Sequence, residues 1–320
     1  MKEIKCPFCD IYSNHIVINE NGYTGKKCDE CNTIFISPRP DADEILKLYK
    51  EDNAHISAES HISRGFVSRL NARHNLSLIK CYINEGSMLE IGAGGGYFLD
   101  EARKAGFRVF GIEPNSRQAK FINNELKISC ETAFLNDASF DKKRFDLIYH
   151  CDVISHFYDP IAVFNMTNFK LNDMGFVVFE TGNFGDVDYD YYKYVSTFQY
   201  PDHLFYFSEN GLMKLLEQTG FNLVKIYNYS ILPQLIVQKY LKSIISMAES
   251  FQIKNTQGDN ISSDVNNKDI QGHNSKSELK QLARNAYWYL SYLLRYKVGS
   301  ICSKEGRPQT IIVIAQKRGV

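Results

Sequence analysis

The sequence predicts an α/β protein: a mostly parallel sheet with helices on both faces, a small cysteine-bearing module ahead of it, and a helical insertion before its last strand. Three observations carry this prediction. The stretch "MLEIGAGGGYFLDEARKAGFRVFGIEPN", Met88 to Asn115, reads as strand, glycine turn, helix, strand and acid. From 86 to 230, short apolar runs bounded by turn residues alternate with helical stretches, the rhythm of βα units. Near the start, two C-x-x-C pairs stand 18 residues apart.

Residues 1–40 hold the paired cysteines and end in "SPRP", where Pro38 and Pro40 punctuate the chain. Residues 41–85 read as a helical connector or lid. "DADEILKLYK" opens on a capping acid and sets Ile45, Leu46 and Tyr49 on one face, and "FVSRLNARHNLSLIKCYI" continues the stripe. In the 86–230 core the strands are "MLEI", "RVFGIE", "KISCETAF", "FDLIYHC" and "GFVVFETGN". Residues 231–305 form the insertion: an amphipathic helix over 231–251, a polar segment over 255–278 expected to be a mobile loop, and the aromatic helix "LKQLARNAYWYLSYLLRYKVG". Residues 306–320 supply the final core strand, "QTIIVIAQKR".

Lys+Arg and Asp+Glu both number 37 in 320 residues, so the chain lacks the basic footprint of a nucleic-acid binder. No run of ~18 uncharged apolar residues marks a spanning helix, and "MKEIKCPFCD" lacks the apolar core of a secretory signal. Eight cysteines, four of them in the two pairs, suit metal binding in a reducing compartment, and a cytoplasmic protein is expected.

The glycine turn narrows the ligand. Glu90 precedes "GAGGG", and Gly92, Gly94 and Gly96 occupy alternate positions, where missing side chains permit positive φ and close approach of a ligand. The dinucleotide fingerprint G-x-G-x-x-G would need a third glycine where this chain has Tyr97. The pattern is instead E-x-G-x-G-x-G. A carboxylate at the strand end suits a cationic amino-acid ligand better than a pyrophosphate. Glu113, at the tip of the next strand, can accept ribose hydroxyls, a placement shared by NAD-binding and S-adenosylmethionine-binding folds.

On these residues the segment from about 86 to 230 resembles the class I S-adenosylmethionine-dependent methyltransferases. "LEIGAGGGYFL" is similar to their glycine turn, "FGIEPN" to the ribose acid, "FDLIYHCDVISHFYDP" to the fourth strand and its loop, and "FETGN" to the end of the fifth. "HLFYFSENGLMKLLEQTGF" resembles the next segment of the zinc-ribbon subgroup, whose members are often tied to sugar, polysaccharide or small-metabolite methylation and are related to the ubiquinone-pathway O-methyltransferases. The resemblance implies a Rossmann-like seven-stranded sheet whose last strand is antiparallel. It implies that Glu90, Gly92, Gly94 and Gly96 surround the methionine end of S-adenosylmethionine and that Glu113 holds its ribose. Ala133 and Phe134 would flank the adenine, and Cys151 and Asp152 would supply backbone near the methionine end.

Methyl transfer to a hydroxyl needs an aligned acceptor and a base. His156, in "DVISHFYDP", and His203, in "YPDHLFYFS", both fall at the carboxyl edge of the sheet and are the candidate catalytic residues. Relatives often carry Glu-His where this chain has Ser155-His156, which removes one candidate for orienting the imidazole. Tyr189, Tyr191, Tyr192, Tyr194, Tyr200 and Tyr206, with Tyr158 on the other loop, read either as a lid over the acceptor or as a packing segment.

Cys6, Cys9, Cys28 and Cys31 have the spacing of a zinc ribbon, with four thiolates closing a structural site. The two insertion helices could pack on the core, form a homodimer, or make peripheral contact with a membrane. The expected function is a methyltransferase acting on a small-molecule hydroxyl, with a nucleotide sugar or glycan precursor as the acceptor. The alternatives are an RNA or protein acceptor, or a non-catalytic cofactor-binding scaffold.

Overall fold

The computed structural model describes residues 1–50, 57–136, 138–141, 143–195, 197–240 and 270–319. The chain opens with three antiparallel strands, β1 (Ile16–Glu20), β2 (Tyr23–Lys27) and β3 (Ile34–Ile36). Three helices come next: α1 (Ala42–Lys50), α2 (Ala58–Ser63) and α3 (Gly65–Ile79). Ser57 caps α2 by accepting the Ser60 N–H, the usual answer to an orphan donor in the first turn.

The alternating region then runs β4 (Gly86–Ile91), α4 (Tyr97–Lys104), β5 (Phe107–Ile112), α5 (Ser116–Asn124), β6 (Cys130–Glu131) and β7 (Phe145–Cys151). It continues with α6 (Pro160–Lys170), β8 (Leu171–Gly182), β9 (Phe205–Tyr206), α7 (Glu209–Gln218) and β10 (Phe221–Ser230). Helix α8 occupies 232–240, and α9 (Ile270–Tyr292), a π-helical stretch (Leu293–Val298) and α10 (Gly299–Cys302) lead to β11 (Gln309–Lys317).

Seven strands form the main sheet in the order β10-β11-β8-β7-β4-β5-β6. Strands β4, β5, β6, β7 and β8 pair in parallel, and β11 lies antiparallel between β8 and β10. This is the expected Rossmann-like sheet with a reversed last strand. Strand β4 has β5 on one side and β7 on the other, so chain direction across the sheet reverses there. Crevices at such switch points, outside the carboxyl ends of the strands, are where open α/β sheets bind ligands.

The period of two along each strand divides the core. Ile311, Val313 and Ala315 of β11 face one apolar layer with Phe164, Phe179 and Phe221. Ile312 and Ile314 face the other, with Leu99, Ala119 and Tyr149. Helix α3 is bolted to α4 by charge: Arg69 Nη1 reaches Asp100 Oδ2 at 2.5 Å and Glu101 Oε1 at 2.6 Å, and Arg73 Nε reaches Glu101 Oε2 at 2.7 Å. The amino-terminal strands are joined to the core directly. Strand β9 pairs with β3, making a second sheet of order β1-β2-β3-β9, and Cys6, Phe8 and Ile34 share an apolar cluster with Phe205 and Phe207.

Two expectations need correction. The strand read in "KISCETAF" shrinks to Cys130–Glu131. It lies at the sheet edge, and the Asn123 side chain takes over backbone pairing there, bonding Cys130 N at 3.1 Å and Cys130 O at 2.8 Å. The polar loop expected over 255–278 is helical from Ile270 onward, and residues 255–269 lie outside the described residues, as does the 241–251 part of the first insertion helix. Extending a formed helix adds one hydrogen bond per residue fixed, so the aromatic helix carries its polar amino-terminal turns with it. Among the described residues no helix is long and apolar enough to cross a membrane.

Phe164 is fully buried among His150, Phe179 and Phe221. Phe164→Ala is expected to cost about 3–5 kcal/mol of stability, measured as a lowered midpoint in denaturant unfolding at unchanged m-value.

Candidate active site

A cleft of about 1220 Å³ opens along the carboxyl ends of β4, β5, β7 and β8. That exceeds the ~300–1,000 Å³ of a typical small-molecule site, so it has room for a cofactor and an acceptor together. Its walls come from α2 and α3 on one side and from the 197–203 loop, α8 and α9 on the other.

The glycine turn forms one end. Gly92, Gly94 and Gly96 have φ of 70°, 54° and 71°, left-handed backbone that L side chains rarely adopt. At Gly96 an added Cβ would lie 2.6 Å from Ile122, so glycine lets α5 close on the turn. At Gly94 the nearest atom would be His61 Nδ1 at 3.4 Å, which leaves the backbone open to the cleft. Tyr97, standing where the dinucleotide fingerprint needs glycine, donates its hydroxyl to Ile62 O and ties α2 across the turn.

Two buried carboxylates stand below. Glu113 accepts the Gly94 N–H through Oε2 and the Asn115 N–H through Oε1, both at 2.8 Å. Burial outweighs these bonds and pushes its pKa up to about 7. Glu90 is held well above the usual carboxylate range, first by burial and then by the charge of Glu113. Its Oε2 is buried with no hydrogen-bond partner among the described residues. A buried acceptor of this kind marks a place for a donor, best a cationic one.

Ala133 and Phe134 line the cleft just after β6, with Phe134 partly exposed. Cys151 and Asp152 stand at the end of β7. The Asp152 N–H is already taken by Glu180 O at 2.9 Å, and the Cys151 thiol lies 3.6 Å from Glu180 Oε2, its pKa pushed well up by burial. Asn75 and Arg295, which belong to no sequence motif, line the cleft, and both meet Glu180 of the "FETGN" segment just beneath it. Glu180, fully buried near the end of β8, accepts from Asn75 Nδ2 at 2.6 Å and from the Tyr296 hydroxyl at 3.1 Å. Arg295, from the π-helical stretch, lies 3.6 Å from it and donates to Thr310 Oγ1. An acid in the apolar strand "FVVFETG" and an arginine in an aromatic helix are the only local signals of them.

His156 and His203 meet at this cleft with ring centroids 4.5 Å apart, edge to face. The acid missing at Ser155 is replaced from the other loop. Asp202 lies against His156 Nδ1, at 3.2 Å through Oδ1 and 3.0 Å through its carbonyl oxygen. Burial alone would lower the His156 pKa, but the Asp202 bond and charge outweigh it and leave it raised. The tyrosines divide between the two readings. Tyr158, Tyr194 and Tyr206 line the cleft. Tyr192 packs on Phe184, Tyr200 is buried, and Tyr189 is 81% exposed.

In the amino-terminal module the sulfurs of Cys6, Cys9, Cys28 and Cys31 all lie within 4.8 Å of one another. Each pair closes a tight turn: Asp10 N–H bonds Cys6 O and Asn32 N–H bonds Cys28 O, both at 2.9 Å, with Asp10 and Asn32 at positive φ. Four thiols so gathered match the donor set of a tetrahedral zinc site.

The "Methyltransferase domain" family matches residues 50–226, more than half of the chain, and the chain belongs to this family: it is a class I S-adenosylmethionine-dependent methyltransferase. A comparison with curated proteins gives no match. Among solved structures it is similar to a SAM-dependent methyltransferase from Thermotoga maritima, at 22% identity and TM-score 0.40 over 51% of this chain and 76% of that one. It is also similar to a cyclopropane synthase from Mycobacterium tuberculosis, at 16% identity and TM-score 0.46 over 77% of this chain and 84% of that one. A coclaurine N-methyltransferase bound to N-methylheliamine and SAH aligns at 12% identity and TM-score 0.46, over 87% and 90% of the two chains.

An acid with a raised folded pKa favours the folded state at low pH and loses that contribution as pH climbs through the folded value. For Glu113 the window runs from about 4.5 to about 7. Glu113→Gln removes this dependence. Relative to the wild type the ligand-free variant is expected to gain up to ~3 kcal/mol across that window, measured by urea unfolding at a series of pH values.

Proposed function

We propose that this methyltransferase acts on a hydroxyl of a small molecule, with His156 as the base, and that a sugar-bearing metabolite such as a nucleotide sugar or glycan precursor is the acceptor. The observation that carries this reading is the Asp202–His156–His203 cluster, placed in one cleft with Glu90, Glu113 and the open glycine turn. Tyr158, Tyr194 and Tyr206 add phenol groups suited to a hydroxylated ligand.

When bound, S-adenosylmethionine supplies a methyl group on a positively charged sulfur with a neutral leaving group. The residues present fit it. The Glu90 oxygen that lacks a partner among the described residues suits its ammonium, Glu113 keeps lone pairs for the ribose hydroxyls, and Gly92 and Gly96 shape a turn whose bare backbone at Gly94 it can approach. Ala133 and Phe134 would flank the adenine, with Cys151 and Asp152 beside the methionine end.

Asp202, at Nδ1, holds the His156 ring and stabilises the imidazolium that forms when the acceptor proton is taken up at Nε2. His203, packed edge-on against His156, orders the ring and can bond the acceptor oxygen. In the same reading Cys6, Cys9, Cys28 and Cys31 hold a structural zinc ion. Four protein ligands leave no open position there for substrate.

A screen of hydroxylated acceptors, sugar nucleotides first, with methyl-labelled cofactor tests the function. With an acceptor found, His156→Ala is expected to lower kcat about 10²–10⁴-fold, and full turnover in both His156→Ala and His203→Ala would exclude an imidazole base. Because the base must be neutral, the rate should rise with pH through a midpoint above the ordinary histidine value, and Asp202→Asn should move that midpoint down. Elemental analysis of the purified protein should find one zinc per chain, lost in Cys6→Ser with Cys9→Ser; a metal-free native chain would remove that assignment.

A further inference from the structure

We propose that Glu20, at the end of β1, is a positioning residue: it clamps the 197–200 segment and thereby sets Asp202 and His203 against His156. This inference rests on the reading of those three residues as the proton-handling group. Glu20 Oε1 accepts from the Thr197 hydroxyl at 2.7 Å and from the Phe198 N–H at 2.8 Å, and Oε2 accepts from the Tyr200 N–H at 2.9 Å. The next residue, Asn21, donates from Nδ2 to Tyr200 O at 2.8 Å. Two consecutive residues of the β1–β2 hairpin thus hold the loop by four hydrogen bonds. Asn21 and Gly22 both have positive φ, the pairing that a tight two-residue hairpin turn requires, so the grip comes from a rigid corner.

The clamped segment runs straight into the site. Gln199 O accepts both the Asp202 N–H, at 2.9 Å, and the His203 N–H, at 3.2 Å. On the far side, Leu204 donates to Ser155 O at 2.8 Å and accepts from Ile36 N of β3 at 3.1 Å. Between these two anchors the residues Pro201–His203 belong to no helix or strand. Their position relative to His156 is therefore set by how the amino-terminal module grips the chain at Glu20 and at Ile36. Hydrogen bonds to an ionised carboxylate are roughly twice as strong as neutral ones. In keeping with that, the N–H and hydroxyl donors outweigh burial and hold the Glu20 carboxyl below its ordinary range.

The test compares Glu20→Ala and the milder Thr197→Val with the wild type, reading the His156 imidazole by NMR titration and backbone amides by hydrogen exchange. In Glu20→Ala, zinc content and calorimetric adenosylhomocysteine affinity should stay within twofold. The Phe198 and Tyr200 amides should exchange at least tenfold faster, and the His156 midpoint should fall toward about 6.5. Thr197→Val should shift the midpoint the same way by less. An unchanged His156 midpoint alongside faster amide exchange would overturn the proposal, since the clamp would then steady only the hairpin. If Glu20→Ala fails to fold, an unmoved midpoint in Thr197→Val overturns it equally. The readout is proton affinity and not turnover, so it stands even if His156 proves not to be the base, which the acceptor screen decides separately.

Discussion

Two carboxylates buried side by side beneath an open glycine turn are the constraint around which this cleft is organised. Glu90 and Glu113 end neighbouring strands, β4 and β5, at the switch point of the sheet. Burial raises both pKa values, the charge of Glu113 adds to the shift at Glu90, and one Glu90 oxygen lacks any partner among the described residues. Such a pair costs stability when the cleft holds no ligand. The cost is offset when a ligand brings positive charge and hydroxyl donors to it. A diphosphate would worsen the repulsion, whereas a sulfonium amino acid joined to a ribose relieves it. Gly94 keeps a Cβ out of the approach, Gly92 and Gly96 let Val153 and Ile122 close behind the turn, and the Gly94 N–H fixes Glu113 in return.

The parts outside the shared sheet pack around this end of it. Helix α2 is tied over the turn through Tyr97 and Ile62. The insertion delivers Arg295 to the cleft, where it balances Glu180 and keeps that buried charge paired. The amino-terminal module does not hang as a separate bead. It shares an apolar cluster with Phe205 and Phe207, extends its sheet with β9, and grips the loop that carries Asp202 and His203. The cysteine-bearing module thus stands behind the cleft wall formed by the 197–203 loop and supports it from outside.

Much of the fold is legible in the sequence because its signals are local. The glycine turn announces itself by positive-φ residues at fixed offsets, and the apolar runs of β4, β7, β8 and β11 by length and composition. The edge strand at Cys130 reads too long because a side chain, Asn123, substitutes for ladder pairing, and nothing local distinguishes the two. In the site, both histidines lie at the expected sheet edge, but the acid that orients His156 is invisible from its neighbourhood. Asp202 is 46 residues away and comes from the other loop, a pairing that only the tertiary fold creates. Asn75 and Arg295, the partners of Glu180, escape a sequence reading for the same reason. The tyrosines show the converse: similar spacing in sequence, yet Tyr194 faces the cleft while Tyr192 and Tyr200 pack inward.

The claim on which all of this turns is that the paired carboxylates seat a sulfonium amino acid and its ribose. A crystal structure of the protein with adenosylhomocysteine tests it most directly. The ligand should lie along the glycine turn, its amino group within hydrogen-bond reach of Glu90 and its ribose hydroxyls on Glu113. A ligand seated elsewhere, or a nicotinamide dinucleotide occupying the turn in competition with it, would contradict the claim.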